Sequence, residues 1–363
     1  MKKTFVPFND LSRIHKPIEA GVLKNIKTIV EKNSFILGEY VEKFEQNFSK
    51  FSDTKYSISC GNGTDAIELV LRALDIKDGD EVIVQANTFI ATALAVTRTG
   101  ATPIFVDNGI DYLVDIENVQ RAITKKTKAI ISVNLYGQMG ENYELSKLAK
   151  QHKLYFIEDS AQSHGATQNG ISSGKYSIAS TYSFYPGKNL GAWGDGGCVT
   201  TNNKSFAEKL IYLRNWGSKK KYYHDVIGYN SRLDPIQAAV LNEKLNFLHE
   251  WNIDRNRVAK YYLENIPNKY ILPMVNDGNF HVWHLFVVRT KNRNKLIEEG
   301  KKQNIEFGIH YPRPIHKQKA YRDHDVKKLV NSETFSKQLV SLPIFPKMKK
   351  IEMEKVVSFL DKF

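Results

Sequence analysis

Lys188 stands between two glycines, Gly187 and Gly191, in the run SFYPGKNLGAWGDGG at residues 183–197, directly after the apolar stretch 178–183. Glycine lets the backbone turn sharply and approach a ligand closely, so this is an odd position for a mere surface charge. An amine in such a turn can condense with an aldehyde cofactor to form an imine, and local electrostatics can lower its pKa enough to make it nucleophilic. Upstream, the apolar run 155–157 ends in Glu158-Asp159-Ser160-Ala161-Gln162. Asp159 thus falls beyond the carboxyl end of a strand, where open α/β sheets bind ligands. A carboxylate there can keep the ring nitrogen of a pyridine cofactor protonated, so that the ring accepts electrons from a carbanion. Taken singly, Asp159 also reads as a cap or turn residue and Lys188 as a surface lysine. The two in this order point to chemistry.

A phosphorylated cofactor also needs an anion site. Gly61-Asn62-Gly63-Thr64-Asp65 opens a helical pattern and offers backbone N–H groups and the Thr64 hydroxyl, although glycine turns before helices are common. Phe89, at a strand-to-helix junction just after Asn87-Thr88, could stack on a ring or pack into the core.

The elements that must position these residues follow from periodicity. Residues 64–74 (TDAIELVLRAL) place Ile67, Val70, Leu71 and Leu74 on one helical face, and Asp78-Gly79-Asp80 turns into a strand at 81–84. A second helix is predicted over 88–99, stopped by Gly100. Apolar runs of strand length follow at 102–106, 129–133 and 155–157. Helix and strand alternating in this way imply a mainly parallel sheet covered on both faces. Beyond the glycine-rich stretch, helices are predicted over 234–250 and 254–265, Pro267 and Pro273 mark a linker, and the tail reads as a strand at 283–289 with helices at 293–303 and 351–362. That tail forms a small α/β unit.

Composition narrows the class. The chain has 363 residues, 42% hydrophobic and 25% charged, enough for a large core and a smaller second one. The N-terminal MKKTFVPFND lacks the apolar run of a signal peptide, and no stretch reaches the roughly 18 apolar residues that span a bilayer, so a cytoplasmic protein is expected. Cys60 and Cys198 are too few for a disulfide framework or metal site and read as small buried hydrophobes. The formal charge of +13 could suggest nucleic acid, but apart from residues 219–221 and 347–350 the basic residues are scattered. Charge of this kind equally suits a small phosphorylated substrate, and no nucleic-acid partner is expected.

The runs GNGTDA, ANTFIATALAV with GATPIFVD, EDSAQSHGA, SFYPGKNLGAWGDGG, GYNSRLDPIQAAVL and IHYPRPIH, in this order along nearly the whole chain, resemble the DegT/DnrJ/StrS family of sugar aminotransferases. The resemblance implies a fold-type I pyridoxal-5'-phosphate-dependent transferase of α/β class. Its large domain, with a mainly parallel seven-stranded sheet, would occupy residues 1–245 including an N-terminal arm, and a small α/β domain residues 246–363. By motif, Lys188 is similar to the Schiff-base lysine, Asp159 to the partner of the pyridine nitrogen and Gln162 to a contact of the ring hydroxyl. Gly63, Thr64 and Ser183 match phosphate ligands, Phe89 the stacking aromatic, and Asn189 a further cofactor contact. Asn230 matches a residue that reaches the phosphate from the neighbouring subunit of a homodimer with shared sites. Arg232, His310, Tyr311 and Tyr185 match positions around the sugar nucleotide, while Tyr223, in Tyr222-Tyr223-His224, either covers the sugar or belongs to a surface loop.

The implied reaction is a two-stage exchange in which glutamate gives its amino group to the cofactor and a nucleotide-linked keto sugar takes it up, with ping-pong kinetics. SFYPGKNLGA, RNWGSKKKYYH and VWHLFVVR look most like transaminases that make dTDP-3-amino-3,6-dideoxyhexoses, of the deoxyamino-sugar kind found in lipopolysaccharide O-antigens. Amination at C4, other C3 substrates on dTDP or UDP, dehydration or epimerisation, and a cofactor-binding regulatory protein remain alternatives. Family members that dehydrate carry His where this chain has Lys188.

Overall fold

The computed structural model describes residues 4–322 and 328–363; Lys2 and Lys3 of the N-terminal reading lie outside them. The large unit is built on seven strands: β1 Tyr56–Cys60, β2 Glu81–Gln85, β3 Thr102–Val106, β4 Thr127–Val133, β5 Tyr155–Asp159, β6 Ala179–Ser183 and β7 Gly197–Thr201. Their order across the sheet is β1-β7-β6-β5-β4-β2-β3. Only β7 runs antiparallel to its neighbours, and the rest pair in parallel.

Side chains alternate between the two faces of a strand, and the apolar runs divide accordingly. Val82, Val84, Ile131 and Ile157 pack with the helices Gly63–Ala73, Ala91–Arg98 and Lys204–Arg214 on one face. Ile83, Ile130 and Phe156 pack with Leu145 and Leu148 of the helix Asn142–Gln151 on the other. Burial on both sides is what makes these strands read as continuous apolar runs. Strands β1 and β7 carry Ser, Thr, Cys and Gly instead, and had no such signal in the sequence. Cys60 and Cys198 are buried and unbridged there, as their size suggests. Below β6, Phe44, Phe48, Tyr182 and Phe184 form an edge-to-face aromatic cluster, with Phe48 and Tyr182 centroids 4.9 Å apart.

The C-terminal part has its own core, in which Val258, Tyr262, Phe286, Val288, Val340, Leu342, Val356 and Leu360 are buried together. Here β8 Phe286–Arg289 and β9 Leu339–Leu342 pair antiparallel, under the helices Leu248–Asn265, Arg293–Lys302 and Lys350–Lys362. Val6 from the N-terminal arm joins this core through a bridge to Ile305. No helix among the described residues is long and apolar enough to cross a membrane.

Three boundaries differ from the periodicity reading by three residues or more. The strand expected from 283 begins at Phe286, because the preceding residues bond to another loop: Val282 N–H donates to Gly137 O at 2.9 Å and Leu285 N–H to Tyr136 O at 3.2 Å. The helix expected over 88–99 starts only at Ala91, which leaves Phe89 outside it and 54% exposed. The helix break expected near 251–253 falls instead between Leu245 and Leu248, and Trp251 and Asn252 are buried within the second helix.

Gly197 marks the tightest approach in this part of the sheet: a Cβ there would lie 2.3 Å from Asn62 O and 2.9 Å from Gly63 N. Both atoms are backbone at a helix start and cannot swing aside. Gly197→Ala is expected to cost about 1–3 kcal/mol, the range for overpacking, read as a lower urea midpoint with unchanged slope.

Candidate active site

The carboxyl ends of β5 and β6 lie side by side, since Asp159 pairs with Thr181 in the parallel register. β5 ends on Asp159, and β6 ends on Ser183 and runs into the turn that carries Lys188. Asp159 is buried; its Oδ2 accepts from Thr92 Oγ1 at 2.8 Å and its Oδ1 from the Ala161 N–H at 3.2 Å. Burial raises its pKa, opposed by these hydrogen bonds and by the nearby Lys188 amine.

Lys188 is held as the mirror case. Burial of its amine lowers the pKa to about 8, while the Asp159 carboxylate pulls it back up. Three imidazoles surround the same region. Burial and then Lys188 lower His164 to about 3 and His310 to about 4, and His284 also falls well below the ordinary value for the same two leading reasons. With neutral rings around it, the opposite charge acting on the Lys188 amine among the described residues is Asp159.

The remaining expected residues close around this pair. Gln162 is fixed from both ends: its Oε1 accepts from Tyr136 N–H at 2.8 Å and its Nε2 donates to Tyr311 Oη at 3.0 Å. The Tyr311 ring lies 5.8 Å from that of Phe89, and Tyr136 Oη donates to His310 O. His310 stacks on Phe8 at 5.6 Å and shares a 2.8 Å hydrogen bond with Ser341 Oγ. Gly63 meets Ser183 so closely that a Cβ on it would lie 2.6 Å from Ser183 Cβ. Asn62 caps the helix Gly63–Ala73 by accepting from Asp65 N–H at 2.9 Å. The earliest N–H groups, at Gly63 and Thr64, have no carbonyl within the helix to bond to, as at any helix start, and with the Ser183 hydroxyl they could hold an anion. Tyr185, 61% exposed, flanks the turn, its carbonyl accepting from Lys188 N–H at 2.9 Å.

Asn189 is buried and its amide is committed to the protein. Its Nδ2 donates to Asn252 Oδ1 and Val282 O, each at 2.9 Å, and its Oδ1 meets His284 Nδ1 at 3.2 Å. It therefore braces the turn rather than facing open space. Asn230, Arg232 and Tyr223 lie on the segment that follows the helix Lys204–Arg214. This segment touches the turn at 61–65 through Ser231, whose Oγ accepts from Gly61 N–H at 3.0 Å. Asn230 is exposed and bridges to Asn215; Arg232 donates to Asn215 Oδ1 at 3.1 Å and lies over the Trp216 ring; Tyr223 is exposed under Lys220. Among the described residues no hydrogen bond or ring contact joins these three to Lys188.

Thr92, Tyr136, His164 and His284 belong to the site and were not singled out in the sequence. Thr92 stood in a helical run beside Ala91 and Ala93, with nothing to show that its hydroxyl meets Asp159. His164 was legible in principle, four residues after Ser160 in the EDSAQSHGA loop. Tyr136 and His284 arrive from segments distant in sequence.

A buried amine, a buried carboxylate and a helix-start anion site around an exposed aromatic fit a phosphorylated pyridine aldehyde. Comparison with known proteins agrees. Residues 17–361 match the model of the DegT/DnrJ/EryC1/StrS aminotransferase family. A dTDP-3-amino-3,6-dideoxy-alpha-D-galactopyranose transaminase of Aneurinibacillus thermoaerophilus is 46% identical over 360 residues, 99% of each chain. A pleiotropic regulatory protein of Geobacillus stearothermophilus is 41% identical over 365 residues, covering 99% of this chain and 98% of that one. The crystal structure of S. venezuelae DesV in complex with a ketimine intermediate superposes with a TM-score of 0.96 at 39% identity, over 99% of this chain and 98% of that one.

The geometry fixes a sign. In the cofactor-free protein, the pH dependence of Lys188 acylation, followed by peptide mass mapping, is expected to have its midpoint near 8. Asp159→Asn removes the charge that raises this value, so the midpoint must fall. A wild-type midpoint near the ordinary lysine value of about 10.4 would mean that the amine is not buried as described.

Proposed function

The chain belongs to the DegT/DnrJ/EryC1/StrS aminotransferase family, and from that premise we propose that it binds pyridoxal 5'-phosphate on Lys188 and passes an amino group from glutamate to a nucleotide-linked keto sugar. The observation that carries the reading is the buried Lys188 amine coupled to the buried Asp159 carboxylate at adjoining strand ends. For the acceptor, we propose C3 of a dTDP-3-keto-6-deoxyhexose; its support is the product named for the Aneurinibacillus relative.

When bound, the cofactor supplies an electron sink that makes the C–H bond beside the transferred nitrogen acidic. The chain's residues do the rest. Asp159, oriented by Thr92 and the Ala161 N–H, sets a negative charge where the ring nitrogen must stay cationic. The N–H groups at Gly63 and Thr64, with Ser183, would hold the phosphate, and Phe89 would pack against the ring. Gln162, clamped between Tyr136 and Tyr311, reaches the ring hydroxyl. Once no longer bonded to the cofactor, the Lys188 amine, which burial makes less basic than an ordinary lysine, could take a proton from one carbon and return it to another. His310, Tyr311 and Tyr185 flank the space for the sugar.

Asn230, Arg232 and Tyr223 fit a homodimer in which each chain lends this segment to its partner's site, in a cytoplasmic enzyme. The exposed Trp216, Tyr222 and Ile227 on the same segment support an interface there. Amination at another carbon or on UDP uses the same machinery. A regulatory role has in its favour the name of the Geobacillus relative; the intact grouping of Lys188, Asp159 and Gln162 favours catalysis.

The deciding experiment incubates the purified protein with pyridoxal phosphate, glutamate and a panel of nucleotide-linked 3-keto and 4-keto sugars. Product mass should show a keto oxygen exchanged for an amino group, and Lys188→Ala should lose the visible band of the bound cofactor and about 10²–10⁴-fold or more of turnover. A wild type that stays colourless with cofactor supplied contradicts the reading, and a salt-sensitive DNA shift without turnover of any sugar favours regulation.

A further inference from the structure

The turn that carries Lys188 closes on itself: a Cβ on Gly191 would lie 2.3 Å from Pro186 O. Displacing Gly191 therefore displaces Pro186 and the residues between them. One side of the turn is braced by the Asn189 amide, as described above. On the other side, the Gly191 carbonyl accepts from Lys244 Nζ, which reaches it from the helix Pro235–Leu245.

Lys244 is unusual in its setting. Its side chain is fully buried, and among the described residues no carboxylate pairs with it; its second neighbour is His15 Nε2, at 3.0 Å. Burying an amine without a counter-ion is unfavourable unless its hydrogen bonds are made, and burial alone pulls its pKa down to about 7. His15, itself lowered to about 4 by burial and then by Lys244, stays neutral and can accept from the amine. Its ring meets Trp193 edge-on at 5.6 Å, and Trp193 N–H donates to Gln237 Oε1 at 2.8 Å on the same helix as Lys244. An apolar side chain of equal length would fill this space at less cost. What it would lack is an N–H for the Gly191 carbonyl.

We propose that Lys244 is a positioning residue for the reaction: with His15 as its second partner, it pins the Gly191 end of the turn so that the Lys188 amine stays buried against Asp159. It acts through the backbone and touches neither substrate nor cofactor. Its consequence for catalysis rests on Lys188 being the reactive amine, but its effect on Lys188 can be read without any cofactor.

Lys244→Met removes the donor and Lys244→Gln keeps an N–H; both side chains are one atom shorter than lysine. In the cofactor-free proteins, the midpoint of Lys188 acylation is expected to rise by about one unit in Lys244→Met as the loosened turn re-solvates the amine. The shift should be smaller in Lys244→Gln, with both melting temperatures close to wild type. With cofactor supplied, the visible circular dichroism of the bound cofactor should weaken in the same order, and kcat should fall more than KM rises. A folded Lys244→Met with the wild-type midpoint overturns the proposal, as does a Lys244→Gln shifted as far as Lys244→Met. Should Lys244→Met not fold, Lys244→Leu, which also lacks the donor, takes its place: a raised midpoint supports the proposal and the wild-type midpoint overturns it. A wild type with no visible band contradicts the cofactor reading while leaving the acylation comparison to judge Lys244.

Discussion

A carboxylate and an amine share one buried site, and each is held between two opposing influences. Burial drives Asp159 and Lys188 toward their neutral forms, while each charge draws the other back. Such a pair is stable only where hydrogen bonds complete the carboxylate and the surrounding groups add no competing charge. Thr92 and the Ala161 N–H meet the first condition, and three imidazoles lowered far below their ordinary pKa meet the second. The poise that results, an amine near neutrality facing a fixed anion, suits transfer of a proton beside a cationic ring.

The rest of the molecule serves to bring those two groups to one place. Parallel pairing of β5 and β6 puts Asp159 next to Thr181, two residues before Ser183. Close backbone contacts at Gly63 and Gly197 draw the start of a helix onto the same edge, so that its open N–H groups face the site. The C-terminal part contributes through the segment 282–285 and through His310 and Tyr311, which reach back across Tyr136 and Gln162. The site is thus assembled from segments separated by more than a hundred residues, and its rigidity comes from hydrogen bonds made among them.

Much of this was legible in the residue order for identifiable reasons. Strands buried on both faces announce themselves as apolar runs, and glycines around a lysine announce a turn that approaches a ligand. The motifs then placed Lys188, Asp159, Gln162, Gly63, Ser183 and Phe89 around one site. The residues that were not legible act through long-range contacts. Thr92 looked like one more helical residue, Tyr136 works partly through its backbone N–H, and His284 arrives from a segment that alternation marked as strand. Asn189 sits beside the lysine in sequence but points its amide at Asn252 and Val282, a direction no spacing rule contains. Strands β1 and β7 went unread because neither is a continuous apolar run: Ser57 and Ser59 interrupt the first, and Gly197, Thr200 and Thr201 dilute the second.

On the proposed function, the buried Asp159 anion stabilises positive charge on the far side of a ring held by Lys188. The most direct test is the ¹⁵N resonance of the ring nitrogen of labelled pyridoxal phosphate bound to the wild-type protein. A protonated ring nitrogen is expected throughout the range in which the protein is folded and Asp159 is ionised, reverting to the unprotonated position in Asp159→Asn. An unprotonated nitrogen in the wild type, or one indifferent to that substitution, contradicts the account.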